Sequence, residues 1–179
     1  MHAVGAGGHV ARAGPGLHCP PDQSDDGAKR RSHEESGLHV GYAPLFQNPG
    51  NVLSDADVYI HELRLAERAE SLGFDSLWSV EHHFTDYTMC PDVLQFLSYM
   101  AGKTRHVKLG SMVVVVPWHD PVRVAEQVIL LDHLSNGRLI LGIGRGLARV
   151  EYEGFRLEQH QGRQRFLEYA ALILQGLEC

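Results

Sequence analysis

Residues 106–117, HVKLGSMVVVVP, are apolar almost throughout and show no alternation of apolar with polar positions. A strand with one wet face alternates, whereas a parallel strand covered on both faces reads as a nearly continuous apolar run. This stretch therefore asks for a parallel sheet with helices packed on it. The surrounding chain supplies them. LHVGYAPLF (38–46) reads as a strand, and a breaker-rich loop leads to a helix beginning near Ser54 or Asp55. Tyr59, Leu63, Ala66, Ala69 and Leu72 would share one face of that helix, with Gly73 ending it. A second strand runs from Phe74 to Val80, and Pro91 suits the first turn of a second helix carrying Val93, Leu94, Leu97 and Met100.

After the apolar strand, Pro117 ends the run, and Asp120 with Pro121 opens a third helix. Asn136–Gly137 marks a turn, and RLILGIG (138–144) is a fourth strand. A last helix spans Arg163 to Leu177, with Phe166, Tyr169, Ala170, Ile173, Leu174 and Leu177 in one stripe. Strand and helix thus alternate four times, with strands roughly 31 to 37 residues apart, the spacing of right-handed βαβ units. A full (β/α)8 barrel takes about 250 residues, so residues 37–179 read as an α/β chain forming the N-terminal half of such a TIM barrel.

Residues 1–36 are Gly-, Pro-, Ser- and charge-rich, without hydrophobic periodicity, and read as a disordered low-complexity tail. The formal net charge of −6, with no basic stripe, argues against a nucleic-acid binder. No apolar run is long enough for a bilayer. Cys19, Cys90 and Cys179 are few and far apart, which suggests neither a disulfide framework nor a metal site and fits a cytoplasmic setting.

In a barrel the C-terminal strand ends share one mouth, where chemistry is done. The second strand ends at Glu81-His82-His83, the third near Met112–Pro117, and the fourth at GIGRG, Gly142 to Gly146. A histidine pair there is an acid/base candidate, against the plainer alternative of one capping and one solvated ring. Glycines admit a ligand close to the backbone, and the Arg145 guanidinium matches phosphate oxygens, so a phosphate-bearing cofactor is the natural ligand. Two rival readings remain. A dinucleotide fingerprint fits poorly, because Leu147 stands at the third glycine's place, and Arg145 could instead pair with a surface carboxylate.

LGFDSLWSVEHHF, VKLGSMVVVVPWHDPVRVAEQVILLDHLSNGRLILGIGRG and EYEGF resemble the bacterial luciferase-like monooxygenases, and the resemblance runs from about Leu38 to Leu177. It implies a flavin-dependent oxidoreductase on a (β/α)8 barrel, using reduced FMN and O2 to oxidise a small organic substrate. A separate flavin reductase would supply the reduced cofactor. By the same resemblance His82 is the catalytic histidine, and His83 supports structure or a subunit contact. Arg145, flanked by Gly144 and Gly146, holds the FMN phosphate. Met112 and Val113 lie against the flavin ring at a non-prolyl cis peptide. Gly144 stands where luciferase alpha subunits carry cysteine, which implies a relative that does not emit light. Arg123, Glu126 and Asp132 are expected to serve ion pairing or dimer packing, and Trp78 and Trp118 the core or rim. No metal is expected. Two alternatives stay open: a deazaflavin-dependent hydride-transfer enzyme, or a non-catalytic half-barrel. A half-barrel has two unpaired strand edges, so a homo-oligomer or a missing C-terminal half is the expected partner.

Overall fold

The computed structural model describes residues 37–178; the tail expected over residues 1–36, and Cys179, lie outside the described residues. The elements are β1 (Gly41–Tyr42), α1 (Asp55–Arg68), β2 (Ser76–Ser79), α2 (Val93–Lys103), β3 (Lys108–Ser111), β4 (Val114–Val115), α3 (Pro121–Ser135), β5 (Leu139–Ile140), β6 (Ile143–Gly144), α4 (Arg149–Gly154) and α5 (Gly162–Leu177). All strand pairs are parallel. β1, β2, β3 and β5 form one sheet in chain order, and β4 pairs with β6 in a second. Sequential parallel neighbours joined by helices are the first four units of a (β/α)8 barrel.

Local chemistry explains the helix starts. The Ser54 hydroxyl accepts the Asp57 N–H at 3.2 Å, and Asp120 accepts the N–H groups of Val122 and Arg123, with Pro121 at the first helical position. At α2 the expectation is corrected. Asp92 is the cap, accepting the Gln95 N–H at 2.9 Å, so Pro91 precedes the helix instead of sitting in its first turn. α1 also ends earlier than its apolar spacing suggests. The chain leaves the helix after Arg68 through a turn ending at Gly73 (φ +86°), which puts Leu72 outside, 61% exposed. Leu174 of α5 is likewise exposed, while Ala170 and Ile173 of the same stripe are buried.

The third and fourth strands are not continuous. β3 and β4 are separated at the Met112–Val113 peptide, which is cis, and β5 and β6 at Leu141–Gly142. Side-chain hydrogen bonds supplement the ladder there, where the Gly142 carbonyl still accepts the Val114 N–H at 2.8 Å. The Ser111 hydroxyl donates to the Gly142 carbonyl at 2.8 Å and accepts its N–H at 2.9 Å. A Cβ on Gly142 would collide with the Ser111 carbonyl, so only glycine lets the strands close here.

The core between sheet and helices contains Leu77, Leu97, Met100, Leu109, Val124, Leu131 and Ile173. Each such side chain contributes about 1.5–3 kcal/mol by leaving water. Beneath it, Arg138 is 7% exposed. Its guanidinium donates to the carbonyls of Ser135, Val107, Ala101 and Thr104 and to the Thr104 hydroxyl, at 2.7 to 3.1 Å. Several of those carbonyls belong to the last turns of α2 and α3, where helices leave acceptors unpaired. Arg123 and Glu126 form an exposed ion pair at 2.6 Å along α3. Among the described residues no helix is long and apolar enough to cross a membrane.

Candidate active site

The C-terminal tip of β2 carries two buried carboxylate systems. Glu81, 2% exposed, accepts from His119 Nε2 at 2.7 Å and His83 Nε2 at 3.0 Å through Oε1, and from the Val115 N–H at 2.8 Å through Oε2. Burial alone would raise its pKa, but the His119 and His83 hydrogen bonds and the Val115 N–H outweigh that and hold the carboxyl below its ordinary range. His119 shows the mirror effect: burial lowers its pKa, yet hydrogen bonding to and attraction by Glu81 raise it overall. The second carboxylate is Glu151 of α4, also 2% exposed. Its Oε1 lies 3.0 Å from His82 Nδ1 and accepts the backbone N–H of His83 at 3.0 Å.

Backbone contacts fix this tip in place. The His82 N–H donates to the Cys90 carbonyl at 3.0 Å, which folds the loop after β2 back on itself. The Cys90 thiol is itself buried, which pushes its pKa up to about 11 and makes it a packing group without thiolate chemistry. An aromatic wall stands beside the histidines. Trp118 stacks on Phe155 at 5.2 Å and meets Tyr152 edge-on at 4.5 Å, and Phe155 meets His83 edge-on at 4.7 Å. Tyr87 lies edge-on to His82 at 5.9 Å.

The expected site residues fall on neighbouring strand ends. Met112 follows β3 directly, and its N–H donates to the Ser79 carbonyl of β2 at 2.7 Å. Its side chain is 45% exposed. Val113 packs where a Cβ on Gly144 would stand, so glycine at 144 is what lets β6 lie against β4. Arg145 follows β6 with its side chain exposed, and among the described residues no carboxylate pairs with it. The surface-carboxylate alternative for Arg145 therefore finds no partner here. Gly146 adopts φ +75°, and a Cβ there would meet Trp118 and Val115. The Arg145 carbonyl accepts the Tyr152 hydroxyl at 3.1 Å. Helix α4 thus reaches the histidine tip through Glu151 and the glycine loop through Tyr152.

A cavity of about 720 Å3 opens beside the histidines, lined by His82, His83, Asp55, Tyr59, Asp86 and Met89 among others. A second depression of about 610 Å3 over His160, Arg163 and Leu167 contains none of these groups. Among the described residues no His, Cys, Asp or Glu cluster is arranged to hold a metal. Glu151, Tyr152 and His119 stood inside the quoted motifs EYEGF and VKLGSMVVVVPWHDPVRVAEQVILLDHLSNGRLILGIGRG, but sequence reasoning gave none of them a role and missed helix α4. Helix α4 has only six residues and Ala148 as its N-cap, so neither a stripe nor a capping side chain announces it.

A profile of luciferase-like monooxygenases matches residues 38–178. The oxygenase component of the flavin-dependent trigonelline monooxygenase of Acinetobacter baylyi is 36% identical over 96 residues, 54% of this chain and 27% of that protein. The monooxygenase RslO1 from Streptomyces bottropensis superposes with a TM-score of 0.70 at 31% identity, over 76% of this chain and 42% of its own. The oxygenating constituent of 3,6-diketocamphane monooxygenase from Pseudomonas putida, in complex with FMN, also gives 0.70, at 21% identity over 76% and 38%. At that identity the last likeness is one of fold. The chain belongs to the luciferase-like monooxygenase family, and it spans less than half the length of these relatives.

Proposed function

We propose that this chain is the flavin-holding half of a monooxygenase that uses reduced FMN and O2 to oxidise a small organic molecule. The observation that carries the reading is Arg145, an exposed guanidinium without an ion-pair partner among the described residues, on the same row of strand ends as His82. That donor set fits a phosphate-bearing cofactor, because a planar fork of N–H donors matches phosphate oxygens and the glycines beside it leave room. Arg145 and Gly146 would hold the phosphate, Met112, Val113 and Gly144 would line the ring, and His82 would move the proton. When bound, the reduced flavin supplies the electrons that activate oxygen. The aromatic wall of Trp118, Tyr152 and Phe155 would keep water from that side of the histidines.

β1 and β5 each have a single strand neighbour among the described residues, so both outer edges can accept another strand. A C-terminal half-barrel or a second copy of this chain would close the ring, and a separate reductase would supply the reduced flavin.

An FMN titration of the whole chain, followed by quenching of flavin fluorescence, tests the reading. Saturable binding is expected. Arg145→Ala should weaken it about tenfold, the loss of one charge-assisted phosphate contact. His82→Ala should leave affinity within about twofold, since it removes proton transfer and not a binding group, while abolishing oxygen-dependent turnover. Unchanged affinity in Arg145→Ala would remove the phosphate role. Tighter binding of a deazaflavin in a parallel titration would replace FMN with the hydride-transfer alternative.

A further inference from the structure

An ionised carboxylate buried beside an imidazole dictates which ring nitrogen carries the proton, because it can only accept. Glu151 Oε1 receives the backbone N–H of His83 and lies 3.0 Å from His82 Nδ1. Oε1 already accepts that amide N–H, and an ionised carboxylate has no proton to donate, so Nδ1 is the donor to it. The His82 side chain is about one-third exposed, and its Nε2 has no hydrogen-bond partner among the described residues. His82 also lines the cavity at the β2 tip. We propose that Glu151 is the positioning residue of this site, holding His82 in the Nδ1–H tautomer so that Nε2 keeps its lone pair for an incoming proton. The inference rests on the reading of His82 as the proton-handling group.

The proton step balances between His82 and a hydroxyl-bearing molecule in the cavity. A donor O–H presented from the cavity breaks with its electron pair left on oxygen, and an N–H bond forms at Nε2. The resulting imidazolium keeps its Nδ1–H on Glu151, whose negative charge at 3.0 Å offsets the new positive one. Return of the proton from Nε2 restores the starting tautomer. Tyr87, edge-on to the ring, restricts it from a second side. Helix α4 also carries Tyr152, whose hydroxyl donates to the Arg145 carbonyl. The element that orients the histidine therefore also supports the loop of the arginine.

The test reads the ring nitrogens directly. Long-range 15N–1H correlation spectra of the full chain labelled in histidine, with His82 assigned by its loss in His82→Gln, are recorded where the ring is neutral. The parent is expected to show a protonated Nδ1 and a bare Nε2 at His82. Glu151→Leu, which keeps the volume and removes the acceptor, is expected to exchange the two positions. Glu151→Gln, which keeps an accepting oxygen, is expected to retain the parent pattern. A bare Nδ1 in the parent overturns the proposal whether or not any variant folds, as does a parent pattern persisting in folded Glu151→Leu. No flavin is present in this measurement, so failure of FMN binding and failure of the tautomer are separate results.

Discussion

At the N-terminal ends of the strands, the hydrogen-bond partners of Arg138 and Glu70 are groups that cannot exchange protons near neutrality. Arg138 spends its donors on four backbone carbonyls and one hydroxyl, and Glu70 accepts the backbone N–H groups of Arg105, His106 and Val107. At the C-terminal ends, Glu81 and Glu151 are held largely by histidines. Both ends bury charge, yet one is built from fixed partners and the other from titratable ones. A charge held by backbone amides and carbonyls locks geometry; a charge held by imidazoles can respond to a proton. The contrast separates the stabilising end of the sheet from the end suited to chemistry.

The largest expected effect lies at the fixed end. Arg138→Met removes every donor from acceptors that include the last turns of two helices, and leaves them buried without water. A loss on the order of 3 kcal/mol is expected in urea unfolding, with the same loss from about pH 5 to about pH 8, since guanidinium does not titrate there. A clear pH dependence of that loss would break the contrast between the two ends.

A smaller, pH-dependent effect is expected at the other end. The carboxyl of Glu81 sits below its ordinary pKa, so its contribution is present above about pH 4.3 and disappears as pH falls through the folded value. His119 sits above its ordinary pKa, so its contribution is complete below about pH 6.5 and disappears as pH rises through the folded value. The pair should therefore stabilise most between about pH 5 and about pH 6.5. Glu81→Gln is expected to cost about 1–3 kcal/mol in that window. His119→Asn should remove the decline on the alkaline side. Urea midpoints of parent and variants across pH check this, and a parent–His119→Asn difference that is constant with pH would count against the pair.

The difference between the two ends also decided what could be read from the sequence. The parallel order was legible because apolar runs and helix stripes repeat locally, as in HVKLGSMVVVVP and the residues of α3. The histidine tip and the glycine loop were legible as short runs of unusual composition, Glu81-His82-His83 and Gly142 to Gly146. Arg138 read only as the first residue of a strand, because its acceptors come from residues 101–107 and 135, which no local pattern connects to it. Glu151 was hidden for a similar reason: its partners lie 68 and 69 positions away. The break within the third strand was masked in the apolar pattern and reached only through the resemblance, which placed a cis peptide at Met112–Val113; the Ser111–Gly142 hydrogen bonds across it connect residues 31 apart that no local pattern links.

Glu70 gives the smallest predicted effect and the sharpest control. Burial raises its carboxyl pKa, but the N–H groups of Val107, His106 and Arg105, with a smaller attraction from the His106 ring, outweigh this and bring it below its ordinary range. The contribution of its amide contacts is therefore present above about pH 4.3 and lost as pH falls through the folded value, with little change near neutrality because the His106 attraction is the smallest cause. Glutamine at this position still offers one oxygen to the three amides, and the group is partly open to solvent. Glu70→Gln should thus cost only about 0.5 kcal/mol at neutral pH, a loss that shrinks in acid. Urea midpoints at about pH 7 and about pH 4 test it. A cost that instead falls between about pH 6 and about pH 8 would mean that the neighbouring His106 ring, not its amide, holds the carboxylate. The fixed end would then carry a titratable partner of its own, and the two ends of the sheet would differ in degree instead of in kind.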